Sequence, residues 1–110
     1  MDHLDHETLT TLKQVMEADF DLLIDTFKQD SIERINKLRE VIQSGDAEAT
    51  RRAAHSFKGS SSNIGARHLS SLCAALEKKA FAGELHELAD DLQTIEQEFA
   101  TVQLLLEDYR

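Results

Sequence analysis

The residues best suited to chemistry fall in one stretch, Ala53-Ala54-His55-Ser56-Phe57-Lys58-Gly59-Ser60-Ser61-Ser62-Asn63-Ile64-Gly65-Ala66. A histidine is followed at three and four residues by a lysine and a glycine, then by a run of small polar side chains. A helix turns about 100° per residue, so with His55 at zero, Phe57 falls near 200° and Ala53 near 160°, opposite the histidine. Thr50, Ser60, Ser61 and Ala49 gather on that far side. Arg51, Arg52, Lys58, Gly59 and Ser62 all lie within about 60° of His55. Helical geometry thus predicts an exposed imidazole among cations, beside a position without a side chain. A neutral imidazole is a good nucleophile. A phosphoryl group placed on it would find a charge-assisted hydrogen bond from Lys58, and Gly59 would let a second protein approach the helix closely. The sequence has no glycine-rich nucleotide loop, no Walker-type lysine and no carboxylate pair to bind ATP or metal, so any phosphoryl donor must be another protein. Spacing alone leaves two readings open, a solvated surface histidine and a phosphoryl acceptor.

The elements that must hold this stretch read as helices. Asp5 caps a short helix bearing Leu9, Leu12, Val15 and Met16. Glu17-Ala18-Asp19 is a brief connection, with Asp19 as the next cap. From Phe20 the apolar positions Leu23, Ile24, Phe27, Ile35, Leu38, Val41 and Ile42 keep helical spacing up to Ser44-Gly45, interrupted at Ser31. Gly45 serves as a left-handed stop, and Asp46 caps a third helix from Ala47 to Ser62 or Asn63. A fourth runs from about Ala66 to Ala82 with Leu69, Leu72, Cys73, Leu76 and Ala80 on one face, ended by Gly83. The last carries Leu85, Leu88, Leu92, Ile95, Phe99, Val102 and Leu106, steps of three and four without a break. The predicted fold is all-α: one domain over residues 1–110, an antiparallel four-helix bundle with a short additional N-terminal helix, and residues 1–5 frayed.

Composition narrows the function classes. The 110 residues include no proline and four glycines, which lets helices run long, and a formal net charge of −9 argues against nucleic acid as a partner. The single cysteine, Cys73, sits on the apolar stripe of the fourth helix and reads as a small buried hydrophobe. No apolar run approaches the roughly 20 residues of a membrane span, and no signal peptide opens the chain, so a cytoplasmic location without a membrane partner is expected. His3 and His6 have H-x-x-H spacing but lie on the expected frayed end without a third ligand, so no metal site is assigned. His68 and His86, early in the fourth and fifth helices, read as surface residues.

The run from His55 to Ala66, with Leu69, Leu72, Cys73, Leu76 and Glu77 after it, resembles the histidine-containing phosphotransfer (HPt) family, of the stand-alone bacterial type. The shared pattern is His, any residue, an aliphatic or aromatic, Lys-Gly, two small residues, then Gly and a leucine-rich helix. The motif covers the central third of the chain, and the family's four-helix architecture fits nearly all of it. The resemblance implies a phosphorelay intermediate in two-component signalling. His55 would accept a phosphoryl group from a receiver-domain aspartate and pass it to another receiver, Lys58 would stabilise the phosphoryl oxygens, and Gly59 would give docking clearance. It implies a carrier without ATP-dependent kinase activity and without a cofactor of its own, Mg²⁺ belonging to the receiver. The partners implied are the receiver domains of hybrid sensor kinases and response regulators; a monomer is expected separately, because one bundle suffices and its exposed face is reserved for docking.

Glu77 departs from the pattern, since well-known members often carry glutamine there. It either accepts from the second imidazole N–H and fixes the tautomer, or points away. Arg51, Arg52, Ser62 and Glu77 complete a candidate rim, and Arg67 either joins it or caps a carbonyl. Leu12, Val15 and Met16, with Ile24 or Phe27, are candidates for an apolar docking edge, although Phe27 reads better as core. A second reading, a helical adaptor that binds a receiver or kinase without taking phosphate, fits the same bundle.

Overall fold

Alternating three- and four-residue apolar spacing commits most of the chain to amphipathic helices, and a computed structural model, which describes residues 2–110, shows five. They are α1 (His6–Met16), α2 (Phe20–Ser44), α3 (Ala47–Asn63), α4 (Arg67–Phe81) and α5 (Leu88–Leu106). Short 3₁₀ turns at Glu17–Asp19 and Glu107–Tyr109 follow α1 and α5, and no strand occurs among the described residues. Helices α2 and α3, α3 and α4, and α4 and α5 pack in chain order, and α5 closes back on α2. Short connections make this an up-down bundle, 42 Å along its longest axis. Helix α1 covers one end, against α2 and the C-terminal turn.

The connections show why the helices stop where they do. The Asp5 carboxylate accepts the Thr8 N–H, and Asp46 accepts that of Ala49, which satisfies donors that the helices leave free. Gly45 ends α2 at φ +71°, a backbone conformation that costs other residues their Cβ clearance. Gly65 sits at φ +84°, and a Cβ there would stand 3.2 Å from Thr8. Only glycine lets α1 lie this close to the turn after α3, where the Asp5 N–H donates to the Gly65 carbonyl at 2.7 Å.

Four expectations are corrected. Asp19 makes no side-chain cap, because the 3₁₀ turn runs directly into α2. Helix α5 begins at Leu88, after Glu87 in a left-handed conformation, so Leu85 and His86 lie in the exposed connection. The start is tied down, since His3 Nδ1–H donates to both oxygens of Glu98 on α5 at 2.7 and 2.9 Å, and Asp5 is pinned as above. Met1 lies outside the described residues. His68 is half-buried beside the His3 ring, the centroids 6.1 Å apart.

The core joins the inner faces of all five helices, with Leu9, Ile24, Leu38, Phe57, Leu69, Ile95 and Val102 fully buried. The buried stripe of α3 is Thr50, Ala54, Phe57 and Ser61, rotated from the predicted face, so that Ala53 and Ser60 are half-buried at its edges. This rotation lets α3 pack on α2 and α4 at once. Phe57 is its one large plug, and truncating it to alanine would cost about 3–5 kcal/mol. Opposite this stripe the helix meets solvent.

Candidate functional site

That solvent-facing side carries His55, whose side chain is 64% exposed. The imidazole is held from α4. Its Nδ1–H donates to Glu77 Oε2 at 2.7 Å, and Lys58 Nζ donates to Glu77 Oε1 at 2.7 Å. One carboxylate therefore joins the histidine and the lysine, one oxygen to each. An ionised carboxylate only accepts, so the ring proton sits on Nδ1 and Nε2 presents its lone pair away from α4. The Glu77 carboxyl is held below the ordinary 4.5, chiefly by Lys58 and further by His55, against the opposing effect of partial burial. Of the two orientations open to Glu77, the inward one is realised.

The predicted ring of cations is largely compensated. Arg51 grips Glu48 with two hydrogen bonds, at 2.6 and 3.0 Å, and Arg52 lies 3.9 Å from the same carboxylate. Lys58 rests on Glu77 rather than standing free for an incoming group. Gly59 is open as expected: a Cβ there would meet nothing within 4 Å, so packing gives no reason for a glycine in the middle of α3.

Other expected members fall elsewhere. Ser62 stands two turns beyond His55, about 10 Å along the axis, in a cleft with Asp5, Thr8 and Arg67. Leu12 and Met16 pack against the core, and Ile24 and Phe27 are buried. Of the docking-edge candidates Val15 is the one left exposed. A short helix laid over a bundle end turns one face inward, and Val15 lies off that face.

Two residues escaped the sequence reading. Arg34 of α2 donates from Nη1 to the Ser56 hydroxyl, next in chain to His55. With Leu23 and Asp30 it forms one wall of a groove of about 450 Å³, whose other wall is Gly59, Ser60 and Asn63. Its available signal was its place beside the apolar stripe, between Ser31 and Ile35. The second is Phe81, the last residue of α4 and 80% exposed. Nothing in the local apolar spacing marks it, and its exposure follows from its place at the helix end.

Chemically, the site offers an exposed, oriented nitrogen nucleophile with a carboxylate behind its ring, a lysine alongside and open backbone ahead. Among the described residues no cluster of three metal-ligating side chains accompanies it, and no helix is long and apolar enough to cross a membrane.

Comparison with known proteins gives the same direction. The family model described as "Hpt domain" matches residues 22–108. The fold superposes on the crystal structure of histidine-containing phosphotransfer protein B from Pseudomonas aeruginosa with a TM-score of 0.93 and 45% identity, covering 96% of this chain and 92% of that one. A histidine-containing phosphotransfer protein from Medicago truncatula shares the fold at a TM-score of 0.85 and 22% identity, over 97% of this chain and 76% of that one. A search of the curated proteins finds no match.

Proposed function

This chain belongs to the Hpt domain family and serves histidine phosphotransfer in a phosphorelay, and from that premise we propose that His55 Nε2 is the atom that carries the phosphoryl group. The observation that carries this reading is the Glu77 carboxylate bound at once to His55 Nδ1–H and to Lys58.

Attack by Nε2 on the phosphorus of a receiver's aspartyl phosphate forms the N–P bond and breaks the bond to the aspartate oxygen. The carboxylate leaves with that electron pair. The ring keeps its Nδ1 proton throughout and becomes positively charged, facing the negative charge of Glu77. Glu77 therefore compensates the ring's positive charge from behind, and the repulsion expected of a carboxylate beside a phosphoryl group is reduced because the two occupy opposite edges of the ring. Lys58, already at the site, can transfer its hydrogen bond from Glu77 to a phosphoryl oxygen without crossing open solvent. Return of the group to a second receiver reverses these steps.

On this reading the protein is a carrier, without kinase activity and without a cofactor of its own. The receiver brings the aspartate and Mg²⁺. Receivers of hybrid sensor kinases and of response regulators are the partners, a monomer is the working form, and the cytoplasm is the site of action. Phosphate chased from a labelled receiver through this protein to a second receiver tests it. Parent protein should pass label, and His55→Ala should pass none. Label reaching the second receiver through His55→Ala would refute the assignment, and receiver binding without any label would favour the adaptor.

A further inference from the structure

Phe81 is the most exposed large apolar side chain described, and nothing in the fold requires it. The Lys78, Lys79 and Ala80 carbonyls at the end of α4 accept from the Ala82, Glu84 and Gly83 N–H groups respectively, and the Phe81 ring has no part in the core. An aromatic ring left in water forgoes the transfer free energy that its burial would give. Its position is informative. Glu77 and Phe81 are one helical turn apart and share a face, and with Arg51, Lys58, Ala74 and Lys78 they line a shallow cleft of about 380 Å³. One wall of that cleft is the carboxylate that holds His55 and Lys58. The aromatic surface is thus continuous with the nucleophile, on the side of His55 away from Arg34 and the α2–α3 groove. Arg51 and Lys58 are compensated by Glu48 and Glu77, whereas Lys78 makes no ion pair among the described residues.

We propose that the receiver domain exchanging phosphate with His55 also seats on the C-terminal end of α4, with Phe81 as its apolar anchor and Lys78 facing its acidic rim. This rests on the phosphotransfer reading above. The site itself selects the occupant. Whatever reaches His55 Nε2 must bring an aspartyl phosphate set among metal-binding carboxylates, and an acidic face of that kind is repelled by a chain of net charge −9 except where cations gather. The α4 end supplies a free lysine next to the one large ring in the cleft. Phe81 acts on affinity and partner choice, since the ring lies beside the reacting atoms rather than on them.

The test uses the full chain and receiver domains from the source genome, charged with labelled acetyl phosphate and Mg²⁺, the fastest donor to the parent being retained. Transfer rate is measured against receiver concentration for the parent, Phe81→Ser and Leu104→Ser, the last an equally exposed leucine on α5. Phe81→Ser should raise the half-saturating concentration about ten- to a hundredfold. The saturating rate should stay within about twofold, as expected when binding alone is lost. Leu104→Ser should match the parent. An unchanged half-saturating concentration for Phe81→Ser overturns the proposal, as does a loss confined to the saturating rate. A parent that sediments as a dimer, made monomeric by Phe81→Ser, would show that a second copy covers the ring and would also overturn it. A parent that takes no label from any receiver fails earlier, at His55, and removes the basis for the proposal as well.

Discussion

Glycine in the middle of a helix costs roughly 0.5–1 kcal/mol relative to alanine, because it gives up more backbone freedom and buries nothing. Gly59 pays that cost in α3 where a Cβ would meet no neighbour within 4 Å. Gly59→Ala should therefore stabilise the bundle by about that amount, which raises the midpoint of thermal unfolding by about 2–6 °C for a domain near this size. The gain should come at the expense of phosphotransfer. A single methyl is a small obstacle, but Gly59→Gln, also a good helix former, projects a long side chain over the surface one turn from His55. Displacing the receiver's aspartate by about 1 Å is enough to cost roughly a hundredfold in rate. Circular dichroism melts and receiver-to-protein transfer kinetics on the same preparations check both halves. Gly59→Gln that melts at or above the parent temperature but transfers at the parent rate would refute the clearance role. Gly59→Ala that melts lower would refute the open geometry.

Other outcomes follow from the same geometry. Glu77 has its carboxyl pKa lowered on folding, so its contribution to stability is complete above about pH 4.5 and is lost as pH falls through the folded value. The stability difference between the parent and Glu77→Gln, measured by urea unfolding from pH 6 to pH 3, should shrink across that acid window, and a constant difference would contradict the pairing. Lys58→Ala should shorten the phosphohistidine lifetime or slow transfer, read by the decay of bound label, whereas unchanged kinetics would remove Lys58 from the site. Burial pushes the Cys73 thiol up to about 12, so iodoacetamide at pH 8 should leave the folded protein unlabelled and modify it rapidly in urea. His3→Ala would strip the partner from Glu98, which is 7% exposed. It should cost about 1–3 kcal/mol of stability by urea unfolding, while transfer through His55 stays at the parent rate.

Much of this arrangement is legible in the sequence because it depends on local rules. Asp5, Gly45, Asp46 and Gly83 mark helix ends through backbone chemistry that acts within a few residues. His55, Phe57, Lys58 and Gly59 sort onto opposite faces by helical angle alone. What escaped depends on contacts between distant segments. The Glu77 carboxylate bridges residues 22 and 19 positions away (77 − 55 and 77 − 58), and no pattern within α4 reveals which way it points. Arg34 reaches Ser56 only because α2 lies against α3. The N-terminal segment looked too polar to hold, yet His3 finds a buried carboxylate on α5 and Asp5 a carbonyl at Gly65. Leu85 misled in the other direction. It continues the apolar spacing of α5, but the left-handed Glu87 starts the helix after it.

In the proposed relay Nε2 of His55 carries the phosphoryl group while Glu77 holds the Nδ1 proton. The chain has five histidines, so the site of attachment must be read directly. Nitrogen-15 and phosphorus-31 NMR of the histidine-labelled protein, phosphorylated by a receiver charged with acetyl phosphate, makes that measurement. The structure predicts one phosphorus coupled to one ring nitrogen, Nε2 of His55, with no such signal in His55→Ala. Coupling to Nδ1 of His55, or to a nitrogen of His3, His6, His68 or His86, would contradict it.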